Sequence, residues 1–160
     1  MKHKSVLTII GIAMLSLAMP SCVPPDDVQQ SNNTIAADLH IRLERTPCFG
    51  MCPAYSVDLT ANGTISWVGK MFVKDTGNAT AHATPATVLV LQSAALDANF
   101  FSMDSVYNPN VADCPGALTT VTYQGVTKRI VDNQCGAAPA ALRDYEKLID
   151  SLLGTGQWVK

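Results

Sequence analysis

The sequence predicts an α+β domain: an antiparallel sheet of about five strands with two helices on one face, in the order β-ββ(β)-α-ββ-α. Three observations predict it. Apolar and polar side chains alternate with period two in five short segments, twice across a tight Gly turn. Two longer segments carry helical spacing of apolar residues behind a start signal containing Pro. The 160 residues are 48% hydrophobic and 15% charged, which suits one packed domain and excludes a disordered chain.

Taken in order, residues 1–21 read as an export leader. A basic start, Met1-Lys2-His3-Lys4, precedes the 13-residue apolar run Val6 to Ala18. That run is short of the roughly 20 residues a spanning helix needs. It closes on Met19-Pro20-Ser21-Cys22, which resembles a bacterial lipobox, with Cys22 as the acylated (palmitate-bearing) residue. Residues 22–35 are Pro-rich and polar and read as a flexible tether. The folded domain is then expected over residues 36–160. This reading makes the chain a lipid-anchored envelope protein. Val23 after the Cys points by resemblance to the outer membrane, facing the periplasm.

Leu39, Ile41 and Leu43 alternate with polar residues and predict the first strand. Tyr55, Val57 and Leu59 predict the second, and Ile65 and Trp67 the third, across Ala61-Asn62-Gly63. With Gly63 left-handed, that loop opposes Leu59 to Ile65 and Val57 to Trp67, so both apolar sets share one face. Met71 to Lys74 is expected to add a short strand. Thr84-Pro85 starts a helix to about Ala98 that buries Val88, Leu89, Leu91 and Leu96, with Phe100 beyond. Leu118–Tyr123 and Val126–Val131 form a second hairpin around Gln124-Gly125. Pro139 opens a helix through Leu142, Tyr145, Leu148, Ile149 and Leu152, and Gly154 stops it.

Five cysteines are present, and acylation of Cys22 leaves an even four. Cys48 and Cys52 close a short loop if oxidised. Cys114 and Cys135 meet at the open end of the second hairpin. Four cysteines allow three connectivities; pairing Cys48 with Cys52 and Cys114 with Cys135 is the reading taken here. Cys48-x-x-x-Cys52-Pro53 also has the spacing of copper-delivery and redox sites, so copper at Cys48 and Cys52 is the alternative. Such sites precede a helix N-terminus that favours thiolate, whereas a strand is predicted here. The spacings within the two pairs do not match zinc knuckles, and no metal is otherwise expected.

Arg45-Thr46-Pro47-Cys48-Phe49-Gly50-Met51-Cys52-Pro53-Ala54-Tyr55 is the distinctive stretch. It resembles the opening signature of the DUF6438 domain family. The similarity extends through Gly69, Phe101, Tyr107, Asp113-Cys114-Pro115, Lys128, Pro139, Ile149-Asp150 and Trp158, covering nearly all of residues 39–158. The resemblance implies the fold but carries no activity. Among these positions Arg45, Tyr55, Asp113 and Lys128 form a candidate pocket beside the Cys48 loop. Lys128, expected opposite Val121 on the apolar face, needs a carboxylate or a route to solvent; Asp113 is the expected partner. A structural ion pair is the plainer reading of the same residues.

No sequence pattern marks catalytic residues. A Gly-x-Ser-x-Gly elbow and a P-loop are both missing. His40, on a polar strand face, and His82, in a predicted loop, lack a metalloprotease partner. Removing Lys2 and Lys4 with the leader leaves 9 basic against 13 acidic side chains. That balance excludes nucleic acid and attraction to an anionic membrane face. The expected partners are the membrane, through acyl chains, and an envelope protein or small ligand. The function expected is a disulfide-stapled, non-enzymatic binding or structural module.

Overall fold

The computed structural model describes residues 34–108, 111, 113–136 and 138–160. The segment expected to be a leader, Cys22, and the expected tether as far as Asn33 lie outside the described residues. Seven strands form one sheet: β1 His40–Arg45, β2 Ala54–Thr60, β3 Thr64–Met71, β4 Gly77–His82, β5 Val106–Tyr107, β6 Gly116–Tyr123 and β7 Val126–Asn133. Three helices accompany them: α1 Pro85–Asp97, α2 Ala140–Leu152 and α3 Gly156–Val159, with a 3₁₀ turn at Phe100–Ser102. The strand order is β4-β3-β2-β1-β6-β7-β5.

The alternation expected in the central strands is present, and it sets the core. Ile41, Leu43, Val57, Leu59, Ile65, Trp67, Val121 and Ile130 are buried in one cluster with Val88 and Leu91 of α1 and Leu142 and Ile149 of α2. Both long helices therefore cover one face of the sheet. The first hairpin has the expected register, Leu59 opposite Ile65 and Val57 opposite Trp67. Gly63 takes φ +86°, as the three-residue loop requires. Gln124 and Gly125 both take positive φ, the type I′ pattern, and place Val121 opposite Lys128.

Four expectations need correction. The sheet has seven strands, not about five, and is mixed, because β5 runs parallel to β7. Met71–Lys74 is not a strand: β3 ends at Met71, and Phe72 at φ +54° turns the chain. The next strand is Gly77–His82, which puts His82 at a strand end rather than in a loop. Its small polar residues touch the core only through Ala79 and Ala81, so no hydrophobic period announces it. In α1, Leu89 and Leu96 are half-buried, while Gln92 is buried in their place. Gln92 can go inside because its amide is satisfied: Nε2 donates to the Thr34 carbonyl and Oε1 accepts from Ala36 N.

The ends of both helices follow the sequence signals. Thr84 caps α1 by accepting from Thr87 N at 3.2 Å. At the C-terminus of α2, Gly154 at φ +65° completes a Schellman motif, with Thr155 N bonding Asp150 O and Gly154 N bonding Ser151 O. This turn delivers the Thr155 hydroxyl to the Asp150 side chain, 3.1 Å away.

Candidate functional site

Arg45 is the last residue of β1 and shares the core-facing parity of Ile41 and Leu43. A cation there cannot stay unpaired, and α2 supplies the counter-charge. Glu146 and Asp150 lie one helical turn apart, on the stripe that also carries Leu142 and Ile149. Arg45 Nη2 and Nε donate to Asp150 Oδ2 at 2.8 and 3.2 Å, and Nη1 reaches Glu146 Oε2 at 3.3 Å. The Tyr55 hydroxyl donates to Asp150 Oδ1 at 2.6 Å. Glu146, fully buried, also accepts from Thr119 Oγ1 and Gln134 Nε2, each at 3.0 Å. With Thr155, Asp150 thus receives four bonds, and both its oxygens are occupied.

The electrostatics follow from burial first and neighbours second. Burial pulls the Arg45 guanidinium down, and Asp150 and Glu146 more than reverse it, so its pKa ends above the ordinary arginine value. Burial, helped by the Asp150 charge, pushes the Tyr55 hydroxyl up to about 12. Burial raises Glu146 against the pull of Arg45. Asp132, an inward residue of β7, is raised by burial against the pull of Arg143 and Arg45. Both Asp132 oxygens are buried and without a hydrogen-bond partner among the described residues, and so is the Tyr145 hydroxyl.

This network floors a cleft of about 350 Å³ at one end of the sheet. Its walls come from the Cys52–Pro53 loop, Pro115 and Gly116, Gln134, and the start of α3 through Val159. Cys48 and Cys52 stand at disulfide distance, with Cα atoms 5.6 Å apart, and so do Cys114 and Cys135, at 6.0 Å. The two pairs brace the loops flanking the cleft. Gly116 is required between them: a Cβ there would meet Thr46 Oγ1 at 2.6 Å, the atom that accepts its N–H. Behind Tyr55, the rings of Trp67 and Trp158 continue a stack, with centroids 4.6 and 5.1 Å apart.

Of the four candidate pocket residues, the structure brings Arg45 and Tyr55 together through Asp150. Asp113 and Lys128 stand elsewhere. Asp113 is exposed at φ +66° in the loop before β6, and its carbonyl accepts from Phe49 N. Lys128 lies opposite Val121, five residues along the hairpin from Gly116. At ~3.3 Å per residue that separates it from the Asp113 loop by roughly 17 Å. The expected Asp113–Lys128 pair is therefore not formed; Lys128 Nζ donates to Ser105 Oγ at 3.0 Å. Sequence reasoning missed the two carboxylates. The available signal was Glu146 itself, a charged residue four after Leu142 and three before Ile149 on an apolar helix stripe. Asp150 follows one turn later.

Among the described residues, no group of three His, Cys, Asp or Glu side chains is arranged to hold a metal ion. His40 Nε2 lies 2.9 Å from Asp58 on the open face, where Arg42, Glu44 and Lys70 extend the ion-pair row.

Fold and site define a class: a seven-stranded α+β domain with two cysteine pairs flanking a cleft at one end of the sheet. The chain belongs to the family described as Domain of unknown function (DUF6438), whose model matches residues 39–153. No curated protein matches it in sequence.

Proposed function

We propose that this protein is a lipid-anchored module of the bacterial envelope that binds rather than catalyses. Its binding end is the cleft between the Cys48–Cys52 and Cys114–Cys135 loops. One observation carries the reading: Asp150 and Glu146, the two carboxylates that hold Arg45, take their hydrogen bonds from inside the domain. Asp150 already holds Arg45, Tyr55 and Thr155, and Glu146 holds Arg45, Thr119 and Gln134. A general base or nucleophile needs a free lone pair aimed at substrate, and these oxygens have their bonds inside the domain. What remains facing solvent is a mainly apolar wall of Pro53, Pro115, Gly156 and Val159, suited to an uncharged group.

The alternative, thiol-redox or copper handling by Cys48 and Cys52, draws only on their spacing and on Pro53. Pro53 leads into strand β2 at Ala54, so no helix N-terminus stabilises a thiolate there. Peptide mapping by mass spectrometry separates the two, using exported protein with free thiols blocked and no reductant. Closed Cys48–Cys52 and Cys114–Cys135 with acylated Cys22 is the expected result. Free or mixed Cys48 and Cys52 beside a closed Cys114–Cys135 would transfer the assignment to redox or copper chemistry. A reproducible turnover abolished by a point change in the cleft would overturn the binding reading.

A further inference from the structure

Residues 34–38 lie along the rim of a groove. Gln92 of α1 holds their start: its Nε2 donates to Thr34 O at 2.9 Å and its Oε1 accepts from Ala36 N at 2.8 Å. Ile35 and Ala36 pack on the core, and the Asp38 carboxylate accepts from Gln124 N and Gly125 N at the β6–β7 turn. This stretch therefore already forms an interface with α1 and with that turn, and the groove adjoins both. Leu96, one helical turn beyond Gln92, makes one wall; Phe101, Tyr123, Gln124 and Val126 complete a cavity of about 270 Å³. Phe101 and Tyr123 are half-buried, with ring centroids 6.2 Å apart and planes at 42°, and Val126 is 56% exposed.

Lys128 leaves a charge unmet beside this lining. It is half-buried and follows Val126 by two residues, on the same face of β7. Its Nζ donates to the neutral Ser105 hydroxyl, and among the described residues no carboxylate pairs with it.

The sequence just upstream matches both features. Among residues 22–33 the apolar side chains after Cys22 are Val23, Pro24, Pro25 and Val28, with Asp26-Asp27 between the prolines and Val28. Pro-rich segments dock on aromatic-lined grooves because their backbone is preformed and loses little entropy. Val28 stands six residues before Thr34, a reach of up to ~20 Å, and Pro24 ten residues before it, up to ~33 Å. Both distances exceed the single helical turn that separates Gln92 from Leu96.

We infer that residues 24–28 of this same chain dock in the groove. Pro24 and Pro25 lie against the Phe101 and Tyr123 rings, Val28 fills the remaining apolar lining, and Asp26 or Asp27 supplies the carboxylate that Lys128 lacks. Continuity favours this occupant over a second copy or a lipid surface, because the residues that follow it already line the rim. Linkage favours it too: a segment tied this closely acts at a roughly millimolar effective concentration, so weak contacts suffice. The docking does not depend on acylation. On the lipid-anchored reading proposed above, it also holds this end of the sheet toward the membrane, with the cleft at the other end of β1.

Photo-cross-linking of the full chain in mild detergent tests it. The photoreactive residue p-benzoylphenylalanine replaces Val126 or, as a control for random encounter, the exposed Val90 of α1. The expected result is an intramolecular product joining residue 126 to residues 24–28, located by peptide mapping. It should be at least about fivefold more abundant than any product joining residue 90 to that segment. Joint Pro24→Ser, Pro25→Ser and Val28→Ser replacement, outside the folded domain, should cut it at least about fivefold. Lys128→Gln should cut it about twofold. Equal yields from residues 90 and 126, or a yield unmoved by the serine replacements or by Lys128→Gln, would overturn the inference. A product joining two chains, or one with detergent alone, would also overturn it and give the groove to a second copy or to lipid.

Discussion

Two tyrosines show how the same hydroxyl does opposite things at two addresses. Tyr55 spends its proton on Asp150 at 2.6 Å, whereas the Tyr145 hydroxyl is buried with no partner among the described residues. Removing a bonded hydroxyl loses a charge-assisted bond; removing an orphan relieves a desolvation cost. Urea unfolding should show Tyr55→Phe losing about 1.5–3 kcal/mol and Tyr145→Phe losing nothing or gaining up to about 1 kcal/mol. Arg45 is the more severe case. Arg45→Met strands the fully buried Glu146 and the partly buried Asp150, and should cost about 3–5 kcal/mol in the same assay. A loss within about 1 kcal/mol would show that the carboxylates relax into solvent. Arg45 and Tyr55 were legible in sequence because they flank the distinctive Cys loop. Their carboxylates were not, because Glu146 and Asp150 lie 101 and 105 residues from Arg45 and no local spacing links them.

At the scale of elements, the turns and braces carry the site. Gly69 in β3 has no room for a side chain: a Cβ would meet Asp75 O at 2.1 Å. That carbonyl also accepts from Trp67 Nε1, and Asp75 N donates to Trp158 O. Gly69→Ala should therefore unseat the β3–β4 turn and α3 together. A loss of about 2 kcal/mol or more is expected, with a changed near-ultraviolet signal from the tryptophan stack. The Cys114–Cys135 pair closes a loop with a sequence separation of 21. Replacing both cysteines with Ser should lower stability by about 3 kcal/mol on the chain-entropy model, read as a shift in urea midpoint. The two hairpins and the helix starts were visible in sequence because Gly turns and Thr-Pro caps are local chemistry. β4 and β5 were not. One is small and polar and the other two residues long, and both exist only because a neighbouring strand offers a ladder.

For the whole molecule, the buried carboxyls set the response to pH. Asp132 and Glu146 are both raised above their ordinary values by burial. A raised carboxyl favours the folded state while protonated; that contribution is complete below the unfolded pKa and is lost as pH rises through the folded one. Glu44 runs the other way. Its bond to Lys70 lowers it, so its contribution is present above the unfolded pKa and fades as acid protonates it. Asp132→Asn removes one raised carboxyl. Thermal melts should show the variant more stable than wild type at pH 8, by about 1 kcal/mol or more, with the gap closing below pH 4. A gap that does not change with pH would mean that Asp132 titrates alike in the folded and unfolded chain.

By itself, the sequence determined the local grammar: which segments alternate, where Gly63 and Gly125 turn the chain, where Thr84 and Gly154 bound helices, and which distinctive loop opens the domain. These depend on neighbours within a few residues, and their physics is written in composition and spacing. Only the tertiary structure decided that Arg45 would find α2, that Lys128 would reach Ser105 and not Asp113, and that a polar hexapeptide would become an edge strand. Those outcomes turn on desolvation and on backbone groups seeking partners across the sheet. Neither is settled until segments remote in the chain have packed together.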